Sequence, residues 1–255
     1  MSTIAEKLTE IAGNTPLVYK SGYEKGLEDG GDYEQGVEDG KQAEYDRFWN
    51  AFQQNGTRTD YSYAFARVWT DDMFKPKYKL NSVTNLTSAF ISNASLTKLS
   101  YDASDRIMAS GTCRQGFYLA SRLTEIEPTI DASASTANDT FNNTFYSCTA
   151  LRKVTLKTNP VVTSNNYLQN TFNSCTALEE LYFEGADTIS ANIDLHWSPL
   201  LMVGSLRSIL TALNKSISGK TLTLNTASEA VIQGDTEATS AYNAALTAGW
   251  TIAFA

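Results

Sequence analysis

The 255-residue chain carries 20 Lys and Arg against 28 Asp and Glu, a formal charge of −8, with 42% apolar and 19% charged residues. Gripping a phosphate backbone or an anionic lipid surface takes a basic stripe, so this balance excludes nucleic acid and membrane surfaces as partner classes. The longest purely aliphatic run, Leu200–Val203, is far short of the roughly 20 residues a membrane span needs, which excludes insertion as well.

In chain order, Ile4, Leu8 and Ile11 mark a short amphipathic helix, and the opening MSTIAEKLTEIAGN lacks the apolar stretch of a signal peptide. A near-duplicate follows, YEKGLEDG (23–30) and YEQGVEDG (33–40), with Gly22, Gly26 and Gly30 four apart and Gly36 and Gly40 likewise. Glycine inside a helix costs about 1 kcal/mol relative to Ala, so a lone helix has no reason to hold five. Small residues on one face let two backbones approach, and residues 1–42 are therefore expected to be a helical assembly or attachment segment that makes a homo-oligomer. The other reading is an acidic linker hinged at Gly30–Gly31. Residues 43–80 are expected to cap the core: Tyr45, Phe48, Trp49 and Phe52 share one helical face, and Phe65, Val68, Trp69 and Phe74 add bulk.

From 81 to 199 one apolar ladder recurs four times. It reads Phe90, Leu96, Leu99, Tyr101; Phe117, Leu123, Ile126, with Pro128 in the last slot; Phe145, Leu151, Val154, Leu156; and Phe172, Leu178, Leu181, Phe183. The Phe residues are 27, 28 and 27 apart. Self-similarity at that period signals a stacked repeat. Leu151 to Asn159 matches L-x-x-L-x-L-x-x-N, whose final alternation has the strand period of two. The stretch before each ladder, such as NTFYSCTA, reads as a short helical turn. The expected fold is an α/β repeat solenoid, leucine-rich-repeat-like, with a short helix and a parallel strand in each 27–28-residue repeat.

Residues 200–255 are expected to close the stack as an α/β cap. Leu206, Ile209, Leu210 and Leu213 have helical spacing ended by Gly219; Lys220–Asn225 alternates as a fifth strand; a helix runs from about Ser228 to Ala248; Trp250–Phe254 is a last strand.

The outward positions of the strands are the candidate binding residues: Ser100, Asp102, Glu127, Thr129, Thr155, Lys157, Tyr182, Glu184, Thr223 and Asn225. Polar and mixed in sign, they suit a protein or glycan, with Tyr182 as anchor. Catalytic signals are weak. Three cysteines form no disulfide framework, and Cys148 and Cys175 share a small buried slot with Asn93 and Ala120. The single His196 stands two residues from Asp194, a spacing not expected to build a Ser/His/Asp triad. No four-ligand zinc pattern, calcium loop or phosphate loop occurs, so neither metal nor cofactor is expected.

Phe145 to Val154 and Phe172 to Leu181 follow Phe-x-x-Cys-x-x-Leu-x-x-Leu, which resembles the BspA-type leucine-rich repeats of bacterial surface proteins. The period here is longer than theirs, and the Ile-Pro pair after the strand is missing. AEYDRFWNAFQQNGTRTDYSYAF (43–65) and the ending KTLTLNTAS…AYNAALTAGWTIAFA look like repeat proteins encoded in prophages of gut bacteria. That resemblance implies a non-enzymatic phage or prophage virion component, tail or surface. It would attach to a host-surface protein or glycan beside other virion proteins, residing in the virion or, before assembly, in the bacterial cytoplasm. A purely architectural decoration or assembly protein is the alternative.

Overall fold

The computed structural model describes residues 59–66, 80, 83–100 and 106–255. The glycine-rich segment 1–42, with Gly22, Gly26, Gly30, Gly36 and Gly40, the helix expected over 45–52, Val68, Trp69, Phe74, Tyr101 and Asp102 lie outside them. The described residues form an α/β structure in which every strand pair is parallel. Its strands are β1 (Lys98–Leu99), β2 (Arg106–Met108), β3 (Glu125–Ile126), β4 (Thr129–Asp131), β5 (Lys153–Lys157), β6 (Glu180–Phe183), β7 (Ile193–Leu195), β8 (Thr221–Leu224) and β9 (Thr251–Phe254).

Strand register follows the sequence spacing. Lys98 lies opposite Glu125, Glu125 opposite Lys153, and Lys153 opposite Glu180, at offsets of 27, 28 and 27 residues. Because strand side chains alternate, the neighbouring Leu99, Ile126, Val154 and Leu181 all turn inward and are buried. The second copy departs from this. Pro128 has no N–H to give a strand ladder, and the strand breaks there into β3 and β4. β4 rejoins β5 out of step: Glu125 faces Lys153, an offset of 28, but Ile130 faces Leu156, an offset of 26. Two extra residues step out as in a bulge, and β2 extends the sheet beyond β4.

The short helical turn expected before each ladder is absent among the described residues, and a column of β-turns takes its place. Alternate amides bond within a turn, as Ala89 to the Leu86 carbonyl and Asn93 to that of Phe90. The amides between them cross to the next copy: Leu86 to Thr112, Ser88 to Arg114, Phe90 to Gly116 and Ser92 to Tyr118. Cys113 to Leu119 and Phe141 to Ser147 repeat the scheme. A helix would satisfy its amides internally and could not bridge copies this way. The third residue of such a turn needs positive φ. Ser88, Ser92, Gln115, Leu119, Asn143, Ser147, Asn170 and Ser174 supply it, at φ of 53–61°, with the same 27, 28, 27 spacing and without a glycine.

Inside, Phe65, Phe90, Phe117, Phe145 and Phe172 stack face to face, with successive centroids 4.7, 4.7, 5.4 and 5.6 Å apart. A second buried column runs four residues earlier through Tyr61, Leu86, Cys113, Phe141 and Leu168. Three residues after each Phe, the small slot of Asn93, Ala120, Cys148 and Cys175 is fully buried. Its polar members reach back one copy: Asn93 Nδ2 donates to the Phe65 carbonyl, Cys148 Sγ to Phe117 and Cys175 Sγ to Phe145, at 3.0–3.2 Å.

The C-terminal expectation needs three corrections. Lys220–Asn225 does form a strand, but β8 joins a second sheet ordered β7-β8-β9 and is no fifth strand of the first. The edge of β6 is covered instead by α1 (Val203–Ala212), where Ser205 and Ser208 hydroxyls accept from the amides of Leu181 and Phe183 at 3.0 and 2.9 Å. The same hydroxyls donate back to the Glu179 and Phe183 carbonyls. Helix α1 ends at Ala212 rather than near Gly219, because Leu213 leaves it to bridge Ile189. The single helix expected over 228–248 is two, α2 (Ala227–Gln233) and α3 (Thr236–Thr247). Asp235 separates them by capping α3, its carboxylate accepting from the Ala238 amide at 2.8 Å.

Candidate binding face

The outer face of the larger sheet is built from alternate residues of its strands, and it falls into three rows. At the strand starts stand Lys98, Glu125, Lys153 and Glu180, alternating in sign across four strands. Lys98 Nζ lies 3.1 Å from Glu125 and 2.5 Å from Glu127, and Lys153 lies 3.5 and 3.7 Å from Glu125 and Glu180. The middle row runs Arg106, Thr129, Thr155, Tyr182, since Arg106 pairs with Thr129 and Thr155 with Tyr182. The third row holds Asp131 opposite Lys157, with Glu184 beside them through its amide bond to the Leu156 carbonyl.

Charges in that third row are tied together. Arg106 grips Glu184 with two nitrogens at 2.5 and 2.7 Å and touches Asp131 at 3.2 Å, while Lys157 stands 3.7 Å from Asp131. Asp131 is nearly buried, which alone would raise its carboxyl; hydrogen bonds from Ser133 and the charges of Lys157 and Arg106 outweigh this and hold it below the ordinary carboxylate range. Arg106 likewise lowers Glu184, and Lys98 lowers Glu127. The result is a neutral strip, Thr129, Thr155 and Tyr182, between two charged rows. The Tyr182 ring rests beside α1, where a side chain at Gly204 would come within 3.5 Å of the phenol oxygen.

Of the residues read from sequence, Thr129, Thr155, Lys157, Tyr182 and Glu184 share this face. Ser100 follows β1, and Glu127 sits in the step-out, turned to Lys98. Thr223 and Asn225 do not belong here: they lie on and just after β8 in the second sheet, where Asn225 Nδ2 donates to the His196 carbonyl at 2.7 Å. Lys98, Glu125, Lys153, Glu180, Arg106 and Asp131 also belong to this face and are not among the outward positions that the ladder pattern nominates. The first four were legible as opposite charges at 27, 28 and 27 residues; Arg106 and Asp131 were hidden by the two-residue step.

His196 Nδ1 lies 2.6 Å from Asp194 Oδ1, so the two-residue spacing does make an Asp–His pair. The nearby Ser198 hydroxyl is buried and donates to the Cys175 carbonyl, facing away from a triad. All three thiols are free and buried, and burial pushes Cys113 and Cys175 up to about 12 and Cys148 well above its ordinary value. Such thiols stay protonated and inert near neutrality.

No family model, curated protein or solved structure matches the chain. Among the described residues no cluster of three His, Cys, Asp or Glu side chains is placed to hold a metal ion. No helix among them is long and apolar enough to cross a membrane.

Proposed function

We propose that the chain is a non-enzymatic leucine-rich-repeat solenoid, and that it serves as a phage or prophage virion component attaching to a protein or glycan of a host surface. The reading rests on one observation: a neutral Thr129–Thr155–Tyr182 strip lies between rows of ordered charge on strands held in register. Such a strip offers hydroxyls and one aromatic anchor to a ligand whose approach is framed by carboxylates and ammonium groups. The BspA-like sequence pattern supports the same reading, and the glycine-repeat segment 1–42 would then provide assembly or attachment to other virion proteins.

The architectural alternative draws on a specific feature of the same face. Its charges are largely spent on one another across neighbouring copies, as glue for the sheet would require. Fluorescently labelled full chain incubated with a panel of gut bacterial strains separates the two. Under the attachment reading some strains bind, and Tyr182→Ala or Lys157→Glu weakens that binding at least about tenfold, the loss of one good anchor. If both variants bind as the parent does, or no strain binds while the chain co-purifies with virions, the architectural role stands instead.

A further inference from the structure

The second sheet carries a group of side chains that the proposed role leaves unused. Trp197 is 44% exposed, whereas Trp250 is buried with its indole N–H donating to the Asn214 carbonyl. The exposed indole is held in place: its ring lies 4.7 Å from that of His196, tilted by 44°. His196 is itself fixed on three sides. Nδ1 faces Asp194 Oδ1, the backbone amide donates to the same oxygen at 3.1 Å, and the carbonyl accepts from Asn225 Nδ2. Asn225 in turn accepts from the Ala227 amide at 3.0 Å. With Nδ1 engaged by a carboxylate, Nε2 is the remaining hydrogen-bonding atom of the imidazole. The Asp194 side chain is 51% exposed, and Thr223 pairs beside it on β8.

We propose that these residues, Trp197, His196, Asp194, Thr223 and Asn225, form a binding site for a neutral saccharide. The five residues gather within and just past the carboxyl halves of the neighbouring parallel strands β7 and β8. The chemistry selects the class of ligand. A flat apolar indole face with a polar N–H suits the C–H face of a pyranose ring. An imidazole nitrogen, a half-exposed carboxylate and a hydroxyl alongside can exchange hydrogen bonds with sugar hydroxyls. Asp194 is the one carboxylate of the five, and its sign disfavours acidic sugars and phosphates. A peptide would want a contiguous apolar patch. Leu200 and Met202 are the other exposed large apolar side chains of this connection, at 52% and 48%, and the test below separates a protein partner from a saccharide. The site belongs to the second sheet and does not depend on the role proposed for the first.

The test is a glycan array carrying neutral, sialylated and sulfated glycans, probed with the full chain. Titration of intrinsic fluorescence with lactose, maltotriose and triacetylchitotriose accompanies it. Binding to neutral glycans is expected, with saturable quenching at a dissociation constant on the order of millimolar. Trp197→Ala should weaken it at least about tenfold and Trp197→Phe by no more than about threefold, since a smaller ring keeps the stacking face. In a Tyr182→Ala background, which removes the anchor of the attachment face, Trp197→Ala should still cost the same factor, and this separates the two sites. Circular dichroism confirms that each variant is folded. Binding to no neutral glycan, binding to acidic glycans alone, or wild-type affinity in Trp197→Ala each overturns the proposal. So would a Trp197-dependent interaction with a protein and none with saccharides.

Discussion

Phe145→Ala probes the stacked aromatic column at its centre. The ring is fully buried and lies between Phe117 and Phe172, at 5.4 and 5.6 Å. Truncation removes roughly 100–150 Å² of buried ring surface, about 2.5–4 kcal/mol at 25 cal/mol per Å². Two lost ring–ring contacts add about 0.5 kcal/mol or more each. The sum sits at the upper end of the range of about 3–5 kcal/mol for buried Phe→Ala changes. The backbone around it is held independently, the Phe145 amide donating to Thr171 and its carbonyl accepting from Cys148 N and Cys175 Sγ. The turn column should therefore not relax to fill the void. In urea unfolding followed by circular dichroism, with a slope of about 2 kcal/mol per M, the midpoint should fall by about 2 M. Phe172→Ala, whose ring stacks on Phe145 alone among the described residues, should lose less by about 0.5–1 kcal/mol, one ring contact instead of two. A midpoint shift below about 0.5 M for Phe145→Ala would refute the column as a source of stability.

The turn column makes a prediction of opposite sign: Leu119 is 41% exposed at φ 60°. Left-handed strain of about 1–2 kcal/mol there exceeds the entropy cost of glycine, about 0.5–1 kcal/mol, so Leu119→Gly should raise Tm by about 1–2 °C in a thermal melt. A drop of more than about 2 °C would contradict this turn geometry. Gly111→Ala should destabilise by about 1–3 kcal/mol in the same assay, because its Cβ would lie 2.4 Å from the Thr84 carbonyl oxygen, a backbone atom with little room to move. The carboxyls of Asp131, Glu184 and Glu127 are all lowered in the folded chain. Their contribution is thus fully present above the unfolded values of about 4 and is lost as pH falls below them. Tm should decline between about pH 5 and pH 2, and less steeply in Asp131→Asn; an unchanged slope in that variant would remove Asp131 from the account.

How much of this was legible depended on whether local pattern and tertiary demand agreed. The ladder residues and their strands could be read because burial on one strand face leaves a period of two, and the copies reinforce one another. Asn143 and Asn170 suggest a helix cap in the sequence, but the residue types that cap helices also tolerate left-handed backbone in turns. Nothing local distinguishes the two uses; the deciding bonds run to the next copy. Pro128 marks an irregular slot in the sequence, but only the two-residue slip at that point brings Arg106 and Asp131 to Lys157 and Glu184. Alternation marks a strand around Thr223 and Asn225 without saying which sheet receives it. Gly234-Asp235 was a readable stop and start inside an apparent single helix.

The serines of α1 have a consequence for length. A parallel edge like that of β6 is a template that another strand of the same kind would fit, and this one is plugged by Ser205 and Ser208 instead of by a strand. Each copy meets the next at a nearly constant interval, so copies are expected to be gained or lost as whole units, whereas a one-residue slip within a strand would turn its buried side chains outward. Molecules of this design are therefore expected to vary in whole increments, ruler-like, with α1 as the stop that sets the count.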